Sequence, residues 1–267
     1  MQLIMLGTGN AHVTKCYNTC FALAEKDEYF LVDGGGGNGI LLQLEKAGIP
    51  WQQVKTIFVT HKHIDHLLGI VWLMRFACEM MSKGKYAGEV NVYAPGEVVT
   101  LLKEMAVRLL QAKSAAYLDN GFNLHAVSDG EKKMILQHET TFFDIGSTKT
   151  LQYGFSLEYA PGRFLTCCGD EPCSASGEKY AAGSEWLLHE AFCLERDADI
   201  FHPYEKHHST VEDACRLAER LQVKNLLLYH TEDKNIAQRE ELYLAAGKKY
   251  FTGGLYVPCD LTKLKLE

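Results

Sequence analysis

Short apolar runs and amphipathic stretches alternate along the whole chain, with glycine-rich turns between several of them. Strands are predicted where apolar residues run together, at residues 3–6, 19–24, 29–32, 56–59, 90–94, 154–159, 163–168, 186–190 and 225–229. Residues 124–143 alternate in a strand-like manner. Helices are predicted where apolar residues recur at helical spacing, at residues 40–47, 67–80, 98–113 and 209–221. Without a Pro/Ser-rich linker between the halves, this pattern predicts a single domain, 1–267, of two packed β-sheets with helices outside.

Metal-binding side chains follow one of the buried strands directly. Residues 61–66 read His-Lys-His-Ile-Asp-His, after strand 56–59 and before helix 67–80. We expect a tight loop in which alternate side chains point the same way, so that His61, His63, Asp65 and His66 serve two adjacent metal ions. Imidazole and carboxylate together favour Zn²⁺, Mn²⁺ or Fe²⁺. A solvated histidine-rich loop is the weaker interpretation, because it does not account for four such residues after a buried strand.

Composition narrows the function classes further. The formal net charge of −7 argues against a protein that coats nucleic acid. No apolar stretch of about 20 residues occurs and the N-terminus lacks the features of a signal peptide, so we expect a cytoplasmic protein without a membrane partner. The nine cysteines include no Cys-x-x-Cys pair and indicate reduced thiols. For Cys167, Cys168 and Cys173, buried or loop thiols are favoured over soft metal ligands.

Several ordered motifs resemble one superfamily over nearly the whole chain. They lie at residues 6–11 with 18–19, 31–35, 60–66, 168–170, 188–191 and 208–210, and at His230. The chain resembles the metallo-β-lactamase superfamily and, within it, the ribonuclease Z branch. The resemblance implies an α/β (α+β) fold, the αββα four-layer sandwich, and a metal-dependent hydrolase.

The resemblance also implies a ligand set and catalytic roles. One metal would be held by Asp65, His66, Asp170 and His230, and the other by His61, His63, Asp170 and one more histidine. A hydroxide held by the metals would be the nucleophile, oriented by Asp65. His208 would protonate the leaving oxygen, with Glu190 or Glu212 fixing its tautomer. His189 is either a buried, hydrogen-bonded histidine or a ligand, and the first interpretation is favoured.

One expected ligand is missing from the sequence. The remaining histidine should lie several residues before Tyr153-Gly154, near Ser147 or Thr148, and no histidine is found there. His138 and His125 lie too early and would need another strand register. The hydroxyl of Thr148, a water molecule or His207 could complete the shell instead. Zn²⁺ is therefore expected at two sites, of which the His61/His63 site lacks a histidine.

The spacing between Thr148 and Asp170 is too short to contain the long glycine-rich arm with which ribonuclease Z grips tRNA. The short spacing weakens the assignment to tRNA. The resemblance still implies cleavage of a phosphodiester, with a small phosphodiester or an RNA as the substrate. A lactone or thioester hydrolase on the same metals, or a degenerate single-metal binding scaffold, are the alternatives. Helix 98–113 could form a lid or a homodimer contact.

Overall fold

The computed structural model describes residues 1–266, and these form two compact units. The first unit comprises Met1–Gly7, Tyr17–Ser128 and the residues from Leu261 onward; the second comprises Thr8–Cys16 and Asp129–Asp260. Each unit contains one sheet with its own helices. The single-domain organisation expected from the sequence stays a prediction.

The secondary structure alternates between strands and helices in the order expected for an α/β protein. In the first unit the elements are β1 (Gln2–Gly7), β2 (Cys20–Glu25), β3 (Glu28–Val32), α1 (Gly39–Ala47), β4 (Val54–Phe58), α2 (Ile64–Ser82), β5 (Val90–Ala94), α3 (Gly96–Leu109), α4 (Ala112–Ala115) and β6 (Phe122–Ala126). In the second unit they are β7 (Lys132–Ile135), β8 (His138–Asp144), β9 (Tyr153–Ala160), β10 (Arg163–Cys167), α5 (Ala175–Ala181), β11 (Trp186–Glu190), α6 (Ala198–Phe201), α7 (Val211–Arg220), β12 (Asn225–Tyr229), α8 (Arg239–Gly247) and β13 (Gly254–Tyr256). A last strand, β14 (Lys263–Lys265), belongs to the first unit.

Each unit is built on a seven-stranded mixed sheet. The first sheet has the order β14-β1-β2-β3-β4-β5-β6, in which the pairs from β3 to β6 are parallel. The second has the order β13-β12-β11-β10-β9-β8-β7, in which the pairs from β10 to β13 are parallel. Parallel neighbours place their carboxyl ends at one edge of a sheet, and the loops that follow them are common sites of function.

Both sheets are covered by apolar helix faces. In the first unit, Ile40 and Leu44 of α1 and Leu67 and Ile70 of α2 belong to one buried cluster with residues of the sheet. In the second unit, a separate cluster contains residues of β11 and β12 together with Val211 of α7. Burial of each such side chain contributes about 1.5–3 kcal/mol, so this packing fixes the strand ends that carry the polar residues.

The structure corrects three local predictions. Helix α2 begins at Ile64 rather than at residue 67, because His63 has extended backbone angles and caps it. Asp65 and His66 therefore lie in the first helical turn and not on a loop. The predicted helix 98–113 is two helices, since Leu110 adopts an extended conformation between them. Helix α7 has its capping box one residue later than expected, at Thr210 and Asp213.

Some features of the described residues bear on cellular context. No helix within residues 1–266 is long and apolar enough to cross a bilayer. All nine cysteines are free thiols in this part of the chain. Burial raises the pKa of the Cys193 and Cys215 thiols to about 12, so these groups are protonated and unreactive near neutral pH.

Candidate metal centre

The histidine run lies where α2 meets a glycine loop in the first unit. The amide of Gly34 donates to the carbonyl of His66 at 2.8 Å, and the amide of Gly69 donates to Gly35 at 2.9 Å. A Cβ on Gly69 would lie 1.8 Å from the Gly34 carbonyl oxygen, so only glycine permits this approach. The close backbone contact holds the first turn of α2, and with it Asp65 and His66, against the end of β3.

Asp33 organises the histidines through a buried hydrogen-bond network. Its Oδ1 accepts from the Thr60 amide at 2.8 Å, and its Oδ2 lies 2.8 Å from both the Thr60 hydroxyl and His66 Nδ1. The Thr60 hydroxyl is in turn 2.9 Å from His61 Nδ1. If the rings of His61 and His66 each carry their proton on Nδ1, each of these contacts pairs one donor with one acceptor. In that form the Nε2 atoms of His61 and His66 carry the lone pair with which a neutral imidazole binds a metal.

The four side chains of the run converge within the first unit. His61 Nε2 lies 2.8 Å from His63 Nδ1, and the His61 and His66 ring centroids are 4.3 Å apart. His66 Nε2 lies 3.4 Å from Asp65 Oδ2. His61 is completely buried and His66 nearly so. Three imidazoles and one carboxylate held this close are a donor set that suits a divalent transition metal.

In the second unit, two further candidate ligands follow parallel strands. Asp170 follows β10 and His230 follows β12, and both side chains are buried. His230 Nε2 lies 3.5 Å from Asp170 Oδ2. His230 has a φ of 57°, a strained value for a residue other than glycine. This conformation turns the chain directly after β12, which lies between two parallel neighbours, β11 and β13.

The Tyr229 hydroxyl fixes the backbone beside both of these residues. It donates to the Gly169 carbonyl, and the side chain is completely buried. Burial holds the pKa of Tyr229 well above its ordinary value, so the hydroxyl stays protonated and can donate. Because Tyr229 precedes His230 and Gly169 precedes Asp170, this one bond sets the spacing of the two candidate ligands.

His208 and Glu190 form a buried pair in the second unit. His208 Nδ1 lies 3.6 Å from Glu190 Oε2. Glu190 is itself held by the Ser209 amide and hydroxyl, both of which donate to its Oε1 at 2.5 Å. The other carboxylate considered from the sequence, Glu212, instead accepts from the Glu195 amide at 2.8 Å.

Aromatic neighbours hold the His208 ring in place. Phe192 stacks on it, with centroids 4.7 Å apart and an interplanar angle of 8°, and the His230 ring lies 5.0 Å away. Glu190, His208 and His230 each offer one ligand atom within 4.8 Å of the others. This triad can therefore act either as an acid beside a metal ligand or as a ligand group.

The similarity to known proteins covers most of the chain. A family model described as the anti-Pycsar protein Apyc1 matches residues 1–250. The chain belongs to the Apyc1 family. Ribonuclease Z of Thermococcus onnurineus strain NA1 is 25% identical over 91% of this chain and 90% of its own length.

Solved structures show the fold of this Apyc1 family member. The metallo-β-lactamase fold protein YhfI of Bacillus subtilis has a TM-score of 0.78 at 15% identity, covering 98% of each chain. The short form of human tRNase Z has a TM-score of 0.75 at 20% identity, covering 100% of each. Zn²⁺-bound PqqB of Methylobacterium extorquens has a TM-score of 0.74 at 13% identity, covering 100% of each. The metallo-β-lactamase fold and the ribonuclease Z resemblance are confirmed, and with them the assignment to metal-dependent hydrolases.

For this Apyc1 family member, the structure also tests the residues considered for the missing ligand. His138 begins β8, whose other end pairs with Tyr153, the start of β9. About seven residues of strand, roughly 20 Å, separate it from that end. His125 lies in β6 of the first unit, where its Nε2 is 2.9 Å from Asn91 Oδ1. His138 therefore lies at the end of β8 that is remote from Tyr153.

Thr148 and His207, two of the residues that could complete the shell, are neighbours. The Thr148 hydroxyl lies 3.1 Å from His207 Nδ1, and both residues are exposed. His189 is not arranged as a ligand, because its Nδ1 lies 2.7 Å from the Glu190 carbonyl and its Nε2 accepts from the Cys173 amide at 3.1 Å. The buried, hydrogen-bonded interpretation of His189 is therefore the one that fits.

Sequence reasoning missed the residues that hold the ligands in place. In the sequence, Asp33 falls within the motif at residues 31–35 and Thr60 precedes the histidine run, and neither position predicts the role that the structure gives it. A signal was available for Asp33, since an acidic residue directly after a buried strand needs hydrogen-bond donors. Tyr229 carried no such signal, because it ends an apolar strand like any core residue.

Proposed function

We propose that the chain hydrolyses phosphodiesters with divalent metals held by His61, His63, Asp65, His66, Asp170 and His230. The observation that carries the proposal is the buried pair His208 and Glu190 beside His230. A hydrolase that releases a poor leaving group, such as an alkoxide, needs a proton donor close to its metals. An imidazole that is oriented by a carboxylate supplies this proton.

The metals, when bound, would neutralise charge on the phosphoryl oxygens and lower the pKa of a water molecule. Side chains of the protein orient the ligands, the water molecule and the proton donor. Asp33 and Thr60 set the tautomers of His66 and His61, and Asp65 orients the attacking water. Because Nδ1 of His208 faces Glu190, protonated His208 gives the proton on Nε2 to the leaving oxygen. Glu190 then stabilises the tautomer that keeps its proton on Nδ1.

The substrate proposed is a small phosphodiester. A cleft of about 280 Å³ in the second unit is lined by His12, Phe192, Phe201 and Lys206, among others. Its Phe192 wall is the ring that stacks on His208. The Lys206 ammonium lies 5.1 Å from the centre of the Phe192 ring, and the carboxylates of Glu232 and Asp233 also line the cleft. A site of this size suits a small molecule, and the experiment below also tests RNA.

The experiment compares hydrolysis of a small phosphodiester, a short RNA, a lactone and a thioester by the wild type and two histidine variants. His208→Ala is expected to lower kcat for the phosphodiester by about 10²–10⁴-fold, because a proton donor is lost. His202→Ala is the matched control, since His202 is exposed and pairs only loosely with Glu205 at 3.6 Å. It should keep wild-type activity.

Metal content separates the two roles open to His208. If His208→Ala keeps the wild-type metal content and loses activity, His208 acts as the acid. If metal and activity fall together, His208 is a ligand and the acid role is wrong. Preference for the lactone or the thioester would contradict the phosphodiester proposal.

We further propose that the resident metal is Zn²⁺, that the protein works in a reducing, cytoplasmic compartment and that it forms a homodimer. Imidazole-rich ligands support zinc, and nine free thiols support a reducing compartment. On α3, Val107 and Leu109 are exposed, which supports a subunit contact. Elemental analysis tests the metal, and a metal other than zinc would contradict the first proposal. Cell fractionation tests the compartment, and an exported protein would contradict the second. Light scattering tests the oligomeric state, and a monomer would contradict the third.

A further inference from the structure

A buried glutamine contacts the candidate ligand Asp170 in the second unit. Gln152 is completely buried, and its Nε2 donates to Asp170 Oδ1 at 2.6 Å. Its backbone carbonyl accepts from the Ile145 amide at 3.1 Å, which ties the start of β9 to the end of β8. The side chain is thus delivered to Asp170 from a neighbouring strand pair with little freedom to move.

The loop that carries Asp170 is shaped to receive this side chain. Gly169 has a φ of +73°, and a Cβ at this position would lie 2.5 Å from Gln152 Nε2. A side chain here would displace the amide as well as strain the backbone. On the other side of the loop, the Tyr229 hydroxyl donates to the Gly169 carbonyl. The loop is therefore held by one hydrogen bond on its backbone and one on its carboxylate.

The two oxygens of Asp170 consequently have different neighbours. Oδ1 accepts from Gln152, whereas Oδ2 lies 3.5 Å from His230 Nε2. A hydrogen bond from a neutral amide restrains the rotation of a carboxylate without adding charge. We propose that Gln152 is a positioning residue that fixes the Asp170 carboxylate so that Oδ2 faces His230. This inference rests on the proposed role of Asp170 and His230 as metal ligands.

The position of Asp170 matters in this chain because the sequence lacks one of the ligand histidines that the resemblance requires, so the remaining ligands must hold the metals without it. Thr148, near the expected position of that histidine, contacts His207. Gln152 restrains one of the remaining ligands, Asp170. Loss of a hydrogen-bonded partner of a metal ligand typically weakens metal affinity by about 10–100-fold.

The test measures Zn²⁺ affinity of metal-free protein by competition with a chromogenic chelator. Gln152→Met keeps the length and burial of the side chain but removes the donor. It is expected to weaken Zn²⁺ binding by about 10–100-fold and to alter the absorption spectrum of the Co²⁺-loaded protein. Gln43→Met is the matched control, because Gln43 is also buried and its Nε2 donates to the backbone carbonyl of Leu6. This variant should bind Zn²⁺ like the wild type.

The outcomes distinguish this inference from the proposed function. If wild-type protein binds no Zn²⁺, the proposed function is wrong. If the wild type binds Zn²⁺ and Gln152→Met binds it equally well, the role of Gln152 is wrong. Equal losses in the two methionine variants would also overturn it, since they would reflect a loosened fold. If Gln152→Met does not fold, Gln152→Asn replaces it as the test variant. Asparagine keeps the amide group but is one methylene shorter, so the amide should no longer contact Asp170. Wild-type Zn²⁺ affinity in Gln152→Asn would refute the role of Gln152.

Discussion

Replacing Asp33 by asparagine tests whether the buried network of the first unit prepares the histidines for metal binding. The asparagine oxygen still accepts from the Thr60 amide, as Asp33 Oδ1 does at 2.8 Å. The new NH₂ group, however, faces the His66 Nδ1 that now lies 2.8 Å from Oδ2. Two donors cannot pair, so His66 is expected to move its proton to Nε2. The nitrogen that should bind metal is then blocked.

The expected magnitude follows from the bonds lost. A hydrogen bond to a charged group contributes about 1.5–3 kcal/mol, and the network also loses the acceptor for the Thr60 hydroxyl at 2.8 Å. Metal affinity should fall by about 10–100-fold, which corresponds to about 1.4–2.8 kcal/mol. The two ranges agree, so most of the lost interaction energy should be seen in metal binding.

The assay is a Zn²⁺ competition titration together with thermal unfolding of the metal-free protein. Asp119→Asn is the control, because Asp119 forms an exposed salt bridge with Lys103 at 2.6 Å and such pairs contribute about 1 kcal/mol or less. It should leave Zn²⁺ affinity unchanged. Unaltered affinity in Asp33→Asn would refute the tautomer reasoning, as would an equal loss in the control.

Three further predictions concern the second unit. Tyr229→Phe removes the hydrogen bond to the Gly169 carbonyl and should weaken Zn²⁺ binding by about tenfold. Because burial raises the pKa of Tyr229 above its ordinary value of 10, the hydrogen bond in the wild type should persist below pH 10 and weaken only as the pH rises further. Unchanged Zn²⁺ affinity in Tyr229→Phe would contradict the role given to the Tyr229 hydroxyl. Thr148→His should raise the number of bound Zn²⁺ ions and the rate, whereas no change would mean that another residue such as His207 already completes the shell. Iodoacetamide at neutral pH should label Cys259 first because it is exposed, and mass spectrometry showing faster labelling of a buried cysteine would contradict the burial described.

The strand positions and the ligand identities were predictable because both depend on local signals. Apolar runs marked β5, β11 and β12 at their observed bounds, since a buried strand needs continuous apolar residues. Residues 61–66 stood out because no structural role needs so many imidazoles together. The resemblance then supplied the more distant candidates, Asp170 and His230.

The supporting residues could not be predicted because their roles depend on contacts between distant parts of the chain. Gln152 and Asp170 are 18 residues apart, and Tyr229 and Gly169 are 60 apart. In the sequence pattern, Gln152 is a polar residue before one strand and Tyr229 is the last residue of another. The start of α2 was misplaced for a local reason, because Ile64 is exposed and carries no apolar periodicity. The residues of helix α8 show little apolar periodicity, so the pattern predicts no helix there.

The most direct test of the account is restoration of activity by metal. Protein stripped with a chelator should not hydrolyse bis(p-nitrophenyl) phosphate, and addition of Zn²⁺ or Mn²⁺ should restore hydrolysis in the wild type but not in His66→Ala. Hydrolysis that survives complete metal removal, or a metal-loaded wild type that cleaves no phosphodiester, would contradict the proposal that this fold carries a metal-dependent phosphodiesterase.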